Sequence, residues 1–273
     1  DSAATQLLTV IDDGPYVLES DYDMVWWYGN EFNNETLIEM SYVFGSGAAA
    51  PFFDGDEDSE GNVMQQLNGP RGINSNDSLI AGWGFDMVTQ DLVDEYRLQG
   101  DSVRLHGTTL AEWQWKLLGI TNWDENEAYT GYYTKKRITW TETNPNGLNW
   151  GWNTNERILR LADIILLYAE AMNQTGNDPE AITYADMVRT RAGLGSISQV
   201  MTDQGIDLYA AIKLERRLEL AQEAQRFFDI VRWGDGATVL GPLGFTANKN
   251  EHYPIPQVEI DDSNGALIQN EPY

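Results

Sequence analysis

Cysteine is absent from the 273-residue sequence, and histidine occurs only as His106 and His252. Without cysteine the chain has no disulfides, no thiolate metal sites and no cysteine nucleophile. Two histidines are too few for a multi-histidine metal site and do not favour a Ser-His-Asp triad. The sequence therefore predicts no catalytic residue, no metal site and no cofactor.

Basic residues are also scarce. The chain has 17 lysines and arginines and 43 acidic residues, which gives a formal net charge of −26. This charge opposes binding to a phosphate backbone or an anionic membrane surface, so no nucleic-acid partner is expected. Neutral ligands are not affected, since stacking and hydrogen bonding need no basic field. No apolar run approaches the roughly 20 residues that span a bilayer, and no signal peptide opens the sequence, which we interpret as a mature or trimmed form.

Hydrophobic residues make up 42% of the chain and charged residues 22%, values typical of a globular protein. A chain of this length can bury a substantial core as one large domain or two modest ones. We expect one domain over residues 1–273.

The stretch from Ile212 to Gly234 combines strong helix formers with dense charge, and no proline or glycine precedes Gly234. Leu214, Leu218 and Ala221 recur at spacings of four and three, which places them on one face of a helix. The pattern predicts a single helix over the whole stretch, with charged residues bordering its apolar stripe.

Charged side chains beside an apolar stripe lose part of their hydration when the protein folds. Buried ions are tolerated only when they are paired and hydrogen-bonded. We therefore expect an internal network in which four acids of this stretch bind its arginines, namely Glu215, Glu219, Glu223 and Asp229. The alternative is a carboxylate pair for acid–base catalysis, which needs a raised pKa in the proton donor, whereas nearby arginines lower carboxylate pKa values.

The same stretch resembles the C-terminal signature of the SusD/RagB family, approximately I-x-x-E-R-R-x-E-L-x-x-E-G-x-R-x-x-D-L-x-R-W-G. The matching positions are Ile212, Glu215, Arg216, Arg217, Glu219, Leu220, Glu223, Arg226, Asp229, Arg232, Trp233 and Gly234. Ala224 stands where the family usually has glycine. Further family-like segments lie at 16–18, 35–42, 132–138, 160–171, 188–193, 252–260 and 269–273, so the resemblance extends over nearly the whole chain.

This resemblance implies the middle and C-terminal region of a SusD-like protein, with the N-terminal helical-repeat half absent. It implies a surface-exposed lipoprotein of the outer membrane that binds oligosaccharides during polysaccharide utilisation and nutrient uptake, without enzymatic activity. The implied partner is a SusC-like TonB-dependent transporter. The lipid-bearing cysteine would lie upstream of Asp1, which agrees with the absence of cysteine.

The fold class expected is mainly α, with helical-repeat-like hairpins, a loop-rich irregular C-terminal region and a few short strands. Residues 35–42 contain β-branched residues in partial alternation, which predicts a strand. A helical stripe over 156–174 and a second helix over 181–192 predict an antiparallel hairpin. Pro254 and Pro256 predict an extended tail around them.

Aromatic residues make up 11% of the chain, and aromatic faces can stack on sugar rings while polar neighbours bind the hydroxyl groups. The long Gly/Asn/Asp/Ser-rich region over 44–79 is the first site candidate, because long loops are usually functional. The predicted glycan-binding residues in and beside it are Phe52, Phe53, Arg71, Asn74 and Trp83. Trp123, Trp150 and Trp152 are the next candidates, whereas Trp26, Trp27 and Trp233 are interpreted as core.

Residues 54–60 carry acids at alternating positions and partly resemble a calcium loop, but Ser59 and Gln65 replace its turn glycine and its bidentate glutamate. A solvated acidic loop is the favoured interpretation. Two other functions stay open for the whole chain, a carboxylate-dependent glycoside hydrolase and a helical-repeat scaffold that binds only proteins. The identity of the glycan is not determined by the sequence.

Overall fold

The structure is a computed structural model that describes residues 2–42, 61–124, 127, 129–144 and 151–273. Its described part is mainly α with a few short strands, which confirms the predicted fold class. The chain divides into two compact units, Asp1–Glu223 and Ala224–Tyr273. The single domain over 1–273 therefore stays a prediction.

The described part of the first unit contains helices α1 to α10. They are Ser2–Asp13, Tyr22–Trp26, Val63–Asn68, Gln90–Leu98, Ser102–Thr108, Glu112–Leu117, Leu161–Gln174, Asp178–Arg191, Ile197–Gln204 and Leu208–Glu219. Short 3-10 helices lie at Tyr28–Asn30 and Thr141–Thr143. Strands β1 to β4 are Thr36–Met40, Thr109–Ala111, Tyr132–Thr134 and Glu156–Arg160, and they form two antiparallel pairs, β1 with β4 and β2 with β3.

Helices α7 and α8 form the predicted hairpin at the centre of the largest hydrophobic cluster. Small buried residues let the two helices approach closely, and Ala162, Ala169, Ala181 and Ala185 are all fully buried. Pro179 lies in the first turn of α8, where its missing N–H costs no hydrogen bond. Helices α9 and α10 contribute to the same cluster, so this part of the unit is a helical layer around one core.

The helix predicted over 156–174 is wrong in its first five residues. Residues Glu156–Arg160 form β4, which pairs with β1, and α7 begins only at Leu161. The strand that pairs with β4 is more than 100 residues away in the sequence, so the periodicity of 156–174 could not indicate this pairing. The predicted strand over 35–42 is confirmed as β1.

A buried group of ion pairs, here called the arginine–glutamate network, links α5, β4, α8 and α10. Arg160 Nη1 lies 2.6 Å from Glu219 Oε1, and Arg104 Nη1 lies 2.6 Å from Glu215 Oε1. Lys136 Nζ lies 2.6 Å from Glu223 Oε1. The network consists of Glu35, Asp101, Arg104, Lys136, Arg160, Arg189, Arg191, Glu215, Glu219 and Glu223.

The network confirms the expected pairing of Glu215, Glu219 and Glu223, but the source of the cations was predicted wrongly. These acids bind cations from other elements, such as Arg104 on α5 and Arg160 at the end of β4, rather than arginines of their own stretch. The fourth acid, Asp229, lies in the second unit and binds Arg232 at 2.9 Å. For Glu215, Glu219 and Glu223 the reason is geometric, since these inward-facing carboxylates meet cations of neighbouring elements.

The single helix predicted over 212–234 is also wrong, because α10 ends at Glu219 and α11 begins at Arg226. The last carbonyl groups of α10 bind side chains of other elements. Tyr96 donates its hydroxyl to Leu218 O at 2.6 Å, and Tyr22 donates its hydroxyl to Glu219 O at 3.0 Å. These tertiary hydrogen bonds stabilise the end of the helix, although no proline or glycine marks it.

The connection after α10 contains two residues in the left-handed region, Gln222 with φ 66° and Ala224 with φ 63°. A side chain in this region costs roughly 1–2 kcal/mol relative to glycine. At position 224, where the family pattern usually has glycine, a glycine would adopt the same conformation without this cost.

The second unit contains three short helices, α11 Arg226–Arg232, α12 Gly236–Leu240 and α13 Gln257–Asp262, and a 3-10 turn at Gly241–Leu243. The irregular C-terminal region is thus confirmed. The tail prediction holds for residues 254–256, but Pro256 is the N-cap of α13, so residues 257–260 were wrongly predicted as extended. Proline excludes helix at its own N–H, not after it.

Candidate functional site

Three tryptophans line an open cleft in the first unit, here called the tryptophan cleft, with a volume of about 380 Å³. Its lining residues are Asp21, Asp23, Met24, Trp26, Trp27, Gly107, Lys135 and Trp140. Helix α2 and the residue after it supply one wall, and the segment that follows β3 supplies the other.

The orientation of α2 explains why its aromatic residues reach this cleft. Asp21 caps the helix by accepting a hydrogen bond from Asp23 N at 3.0 Å. Tyr22 and Val25, three residues apart, share the buried face. The two residues between them are exposed at the cleft. Trp26 follows Tyr22 by four residues, so it lies beside the buried face, is partly buried and reaches the cleft at its edge.

The aromatic rings at the cleft form a continuous group. The Trp27 ring lies 4.3 Å from the Tyr28 ring and 6.0 Å from the Trp140 ring, measured between centroids. Trp27 remains 38% exposed, so part of its ring is accessible to a ligand. Flat exposed rings with polar neighbours can stack on the C–H faces of a sugar and leave its hydroxyl groups free for hydrogen bonding.

Three buried cations pack against the Trp26 ring, two from the arginine–glutamate network and Arg157 from β4. Lys136 Nζ lies 4.8 Å from the centre of the Trp26 ring, and the guanidinium carbons of Arg160 and Arg157 lie 5.8 Å and 6.0 Å from it. Burial lowers the pKa of Lys136 to about 8, against the opposing effect of Glu223. These cation–π contacts join the Trp26 ring at the cleft to buried side chains of the interior.

Polar groups surround the aromatic rings. Lys135 Nζ forms an ion pair with Asp23 Oδ2 at 2.7 Å and donates to His106 O at 3.0 Å. Partial burial, together with a hydrogen bond to Glu142, raises the pKa of Tyr28 to about 12. The Tyr28 hydroxyl therefore stays protonated over the physiological range and donates to that carboxylate.

The described members of the predicted loop site lie elsewhere in the first unit. Arg71 pairs with Glu127 at 3.2 Å and its side chain is 54% exposed, while Asn74 is exposed as well. Trp83 is partly buried, and its ring lies 5.8 Å from the Phe85 ring.

The chain brings two of these residues into one neighbourhood. A Cβ atom built on Gly84 would lie 2.9 Å from Arg71 Cβ, so Arg71 approaches the residue next to Trp83. Nothing comparable brings Asn74 to them. Phe52, Phe53 and the acidic loop 54–60 lie outside the described residues, as does Trp150.

Two of the tryptophan interpretations made from the sequence are wrong. Trp27 was expected in the core but is 38% exposed at the cleft, and Trp152 was a further site candidate but is fully buried. Trp26, also expected in the core, is partly buried and lines the cleft. A run of four large residues, Val25 to Tyr28, was a usable signal, because a five-residue helix buries only one face. Trp140 had no such signal.

Within residues 2–42, 61–124, 127, 129–144 and 151–273, no group of three or more His, Asp or Glu side chains could hold a metal ion. No helix in these ranges has the length and apolar character needed to cross a membrane.

Residues 104–251, which are more than half of the chain, match the model of the SusD family. The chain belongs to the SusD family. SusD-like protein P2 of Formosa agariphila is 35% identical over 132 residues, which cover 44% of this chain and 26% of the relative. SusD-like protein P25 of the same species is 23% identical over 298 residues, covering 97% of this chain and 53% of the relative. The chain thus spans about half or less of the length of these relatives.

Solved SusD-family structures share this fold. A laminarin-binding SusD-like protein superposes with a TM-score of 0.82 at 31% identity, over 99% of this chain and 58% of that one. Surface glycan-binding protein A from Bacteroides thetaiotaomicron, solved in complex with laminarihexaose, superposes with a TM-score of 0.79 at 25% identity, over 98% of this chain and 59% of that one.

Proposed function

We propose that this chain binds a neutral oligosaccharide and stacks it on the rings of the tryptophan cleft. The observation that carries the proposal is the grouping of Trp27, Tyr28 and Trp140 beside an open cleft with hydrogen-bonding groups at its rim. The names of two solved relatives add support, since one is described as laminarin-binding and the other holds laminarihexaose. Laminarin-type glucans are therefore the first ligands to test.

We further propose that the whole protein is a lipid-anchored capture protein at the outer membrane, which passes glycans to a SusC-like TonB-dependent transporter. Family membership supports this role. The chain itself would contribute binding and not hydrolysis. Glu215 and Glu219, the two acids four residues apart on α10, support this view because both are fully buried in ion pairs. Burial alone would raise the pKa of Glu219, but Arg191, Arg160 and Arg104 lower it well below its ordinary value, which is the wrong direction for a proton donor.

The proposed site predicts that Trp27→Ala weakens binding while the fold is retained. Loss of one stacking face should cost roughly 1–2 kcal/mol of binding free energy, about tenfold in Kd. Calorimetric titration with laminarihexaose and a panel of other neutral oligosaccharides measures the affinity, and circular dichroism and thermal melting check the fold.

A matched control is Trp113→Ala. Trp113 is 55% exposed and packs edge-on against His106, but it does not line the cleft. Equal losses in both variants would contradict a site at the cleft. Failure of the unchanged protein to bind any neutral glycan of the panel would contradict glycan binding, and release of reducing ends, abolished by one carboxylate substitution, would contradict the absence of hydrolysis.

A further inference from the structure

We infer that Asp21 and Asp23 determine which glycans the tryptophan cleft accepts, by rejecting sugars that carry carboxylate or sulfate groups. This inference rests on the proposed function of the cleft and assigns its selectivity to two side chains.

The ionic side chains that line the cleft are Asp21, Asp23 and Lys135. Two carboxylates and one ammonium group leave a formal charge of −1 at the surface that a ligand would approach. The lysine does not offset this charge for a ligand, because its Nζ lies 2.7 Å from Asp23 Oδ2 and also donates to His106 O. An incoming anion would therefore have to compete with Asp23 for this cation.

Asp21 has no salt bridge within the part of the chain that the structure describes. One of its carboxylate oxygens accepts the Asp23 N–H as the N-cap of α2. A hydrogen-bonded carboxylate that lacks a counter-ion accepts readily from a sugar hydroxyl group and repels a second carboxylate.

The cations near the cleft do not reverse the negative charge of its lining. Lys136, Arg157 and Arg160 lie against the Trp26 ring, but they are buried. Lys136 and Arg160 both bind Glu223. The charges of Lys136 and Arg160 are therefore paired inside the protein, and Arg157 donates to two backbone carbonyl groups. The two aspartates, in contrast, are exposed at the cleft. The cleft thus combines stacking surfaces suited to any sugar ring with an electrostatic preference for uncharged ones.

The test compares laminarihexaose with its derivative in which the primary alcohols are oxidised to carboxylates, so the two probes share the same glucan backbone and differ at C6, where one carries negative charge. The measured quantity is the ratio of the two Kd values by calorimetry at low salt. The unchanged protein should bind the oxidised probe at least about fivefold more weakly, as expected for unit charges about 4 Å apart in water. In the Asp21→Asn/Asp23→Asn variant the formal charge of the lining changes from −1 to +1. The ratio should then fall by about fivefold or more, as expected for unit charges about 4 Å apart in water, and the shift should shrink as salt is added.

The matched control is Asp203→Asn/Asp207→Asn, which removes two charges outside the lining of the cleft. Asp207 caps α10 as Asp21 caps α2, and asparagine preserves either cap. This control should leave the ratio unchanged. If both double variants shift the ratio equally, the overall charge of the chain causes the repulsion and the inference is wrong.

The remaining outcomes separate the inference from the proposed function. An unchanged protein that binds both probes equally contradicts the selectivity of the cleft and leaves glycan binding supported. An unchanged protein that binds neither probe contradicts the proposed laminarin-type ligand, and the inference fails with it.

Discussion

The arginine–glutamate network and the tryptophan cleft meet at Trp26, but the network buries ionic side chains whereas the cleft exposes an aromatic one. In the network Glu219 is 0% exposed and Arg160 1%, although both are ionic. At the cleft Trp27 is 38% exposed, although it is aromatic. Burial makes the ions structural because an unpaired partner would be costly, while exposure makes the aromatic rings available to a ligand. Residue type alone therefore does not reveal the role of a side chain here.

Breaking the network should have the largest effect. Glu219→Ala removes one of the two carboxylates that Arg160 and Arg191 share. Loss of one partner of a buried pair costs about 3–5 kcal/mol of unfolding free energy. Urea unfolding measures this change. The matched control is Glu112→Ala, because Glu112 pairs with Lys116 on the surface, where such a pair contributes about 0.3–0.5 kcal/mol. Equal losses in the two variants would show that the network is not a buried ionic core.

The network should also make stability depend on acid pH. The cations around Glu219 and Glu223 lower both pKa values in the folded state, from an ordinary value of 4.5, despite burial. Each carboxylate therefore contributes stability that is fully present above about pH 4.5 and is lost as the pH falls toward its folded-state pKa. Urea unfolding at several pH values should show stability falling below pH 4.5, and Glu219→Gln should reduce that slope. An unchanged slope in the variant would contradict this linkage.

Variants of the predicted loop site test whether the cleft alone binds the ligand. Their expected effect, a change in binding affinity, is smaller than the loss of stability in the network variant. If Trp83, Phe52 and Phe53 also stack on the ligand, Trp83→Ala and a Phe52/Phe53 double alanine variant should each weaken binding by roughly 1–2 kcal/mol, about tenfold in Kd, and should keep near-normal melting. Calorimetry with the ligand panel measures the affinity, and Trp27→Ala provides the comparison at the cleft. Retained affinity in folded loop variants would leave the cleft as the site.

Local patterns predicted those parts of the fold whose causes are local. The helix of residues 181–192 and the strand within 35–42 follow from propensity and periodicity, and both are present with small shifts of their ends. The exposure of Trp27 was not predicted. A run of apolar residues indicates that some of them are buried but not which face the next element covers.

By itself the sequence determined the absence of cysteine chemistry, the acidic charge, the mainly α class and the family signature that ends at Gly234. Only the tertiary structure decided where the signature helix ends, which cations neutralise Glu215, Glu219 and Glu223, and which tryptophans remain exposed. The physical reason is that these outcomes depend on contacts between residues far apart in the chain, such as Tyr22 with Glu219 O and Arg160 with Glu219. Ion pairing and the loss of side-chain hydration depend on surfaces that meet only in the folded chain, so a local sequence pattern cannot predict them.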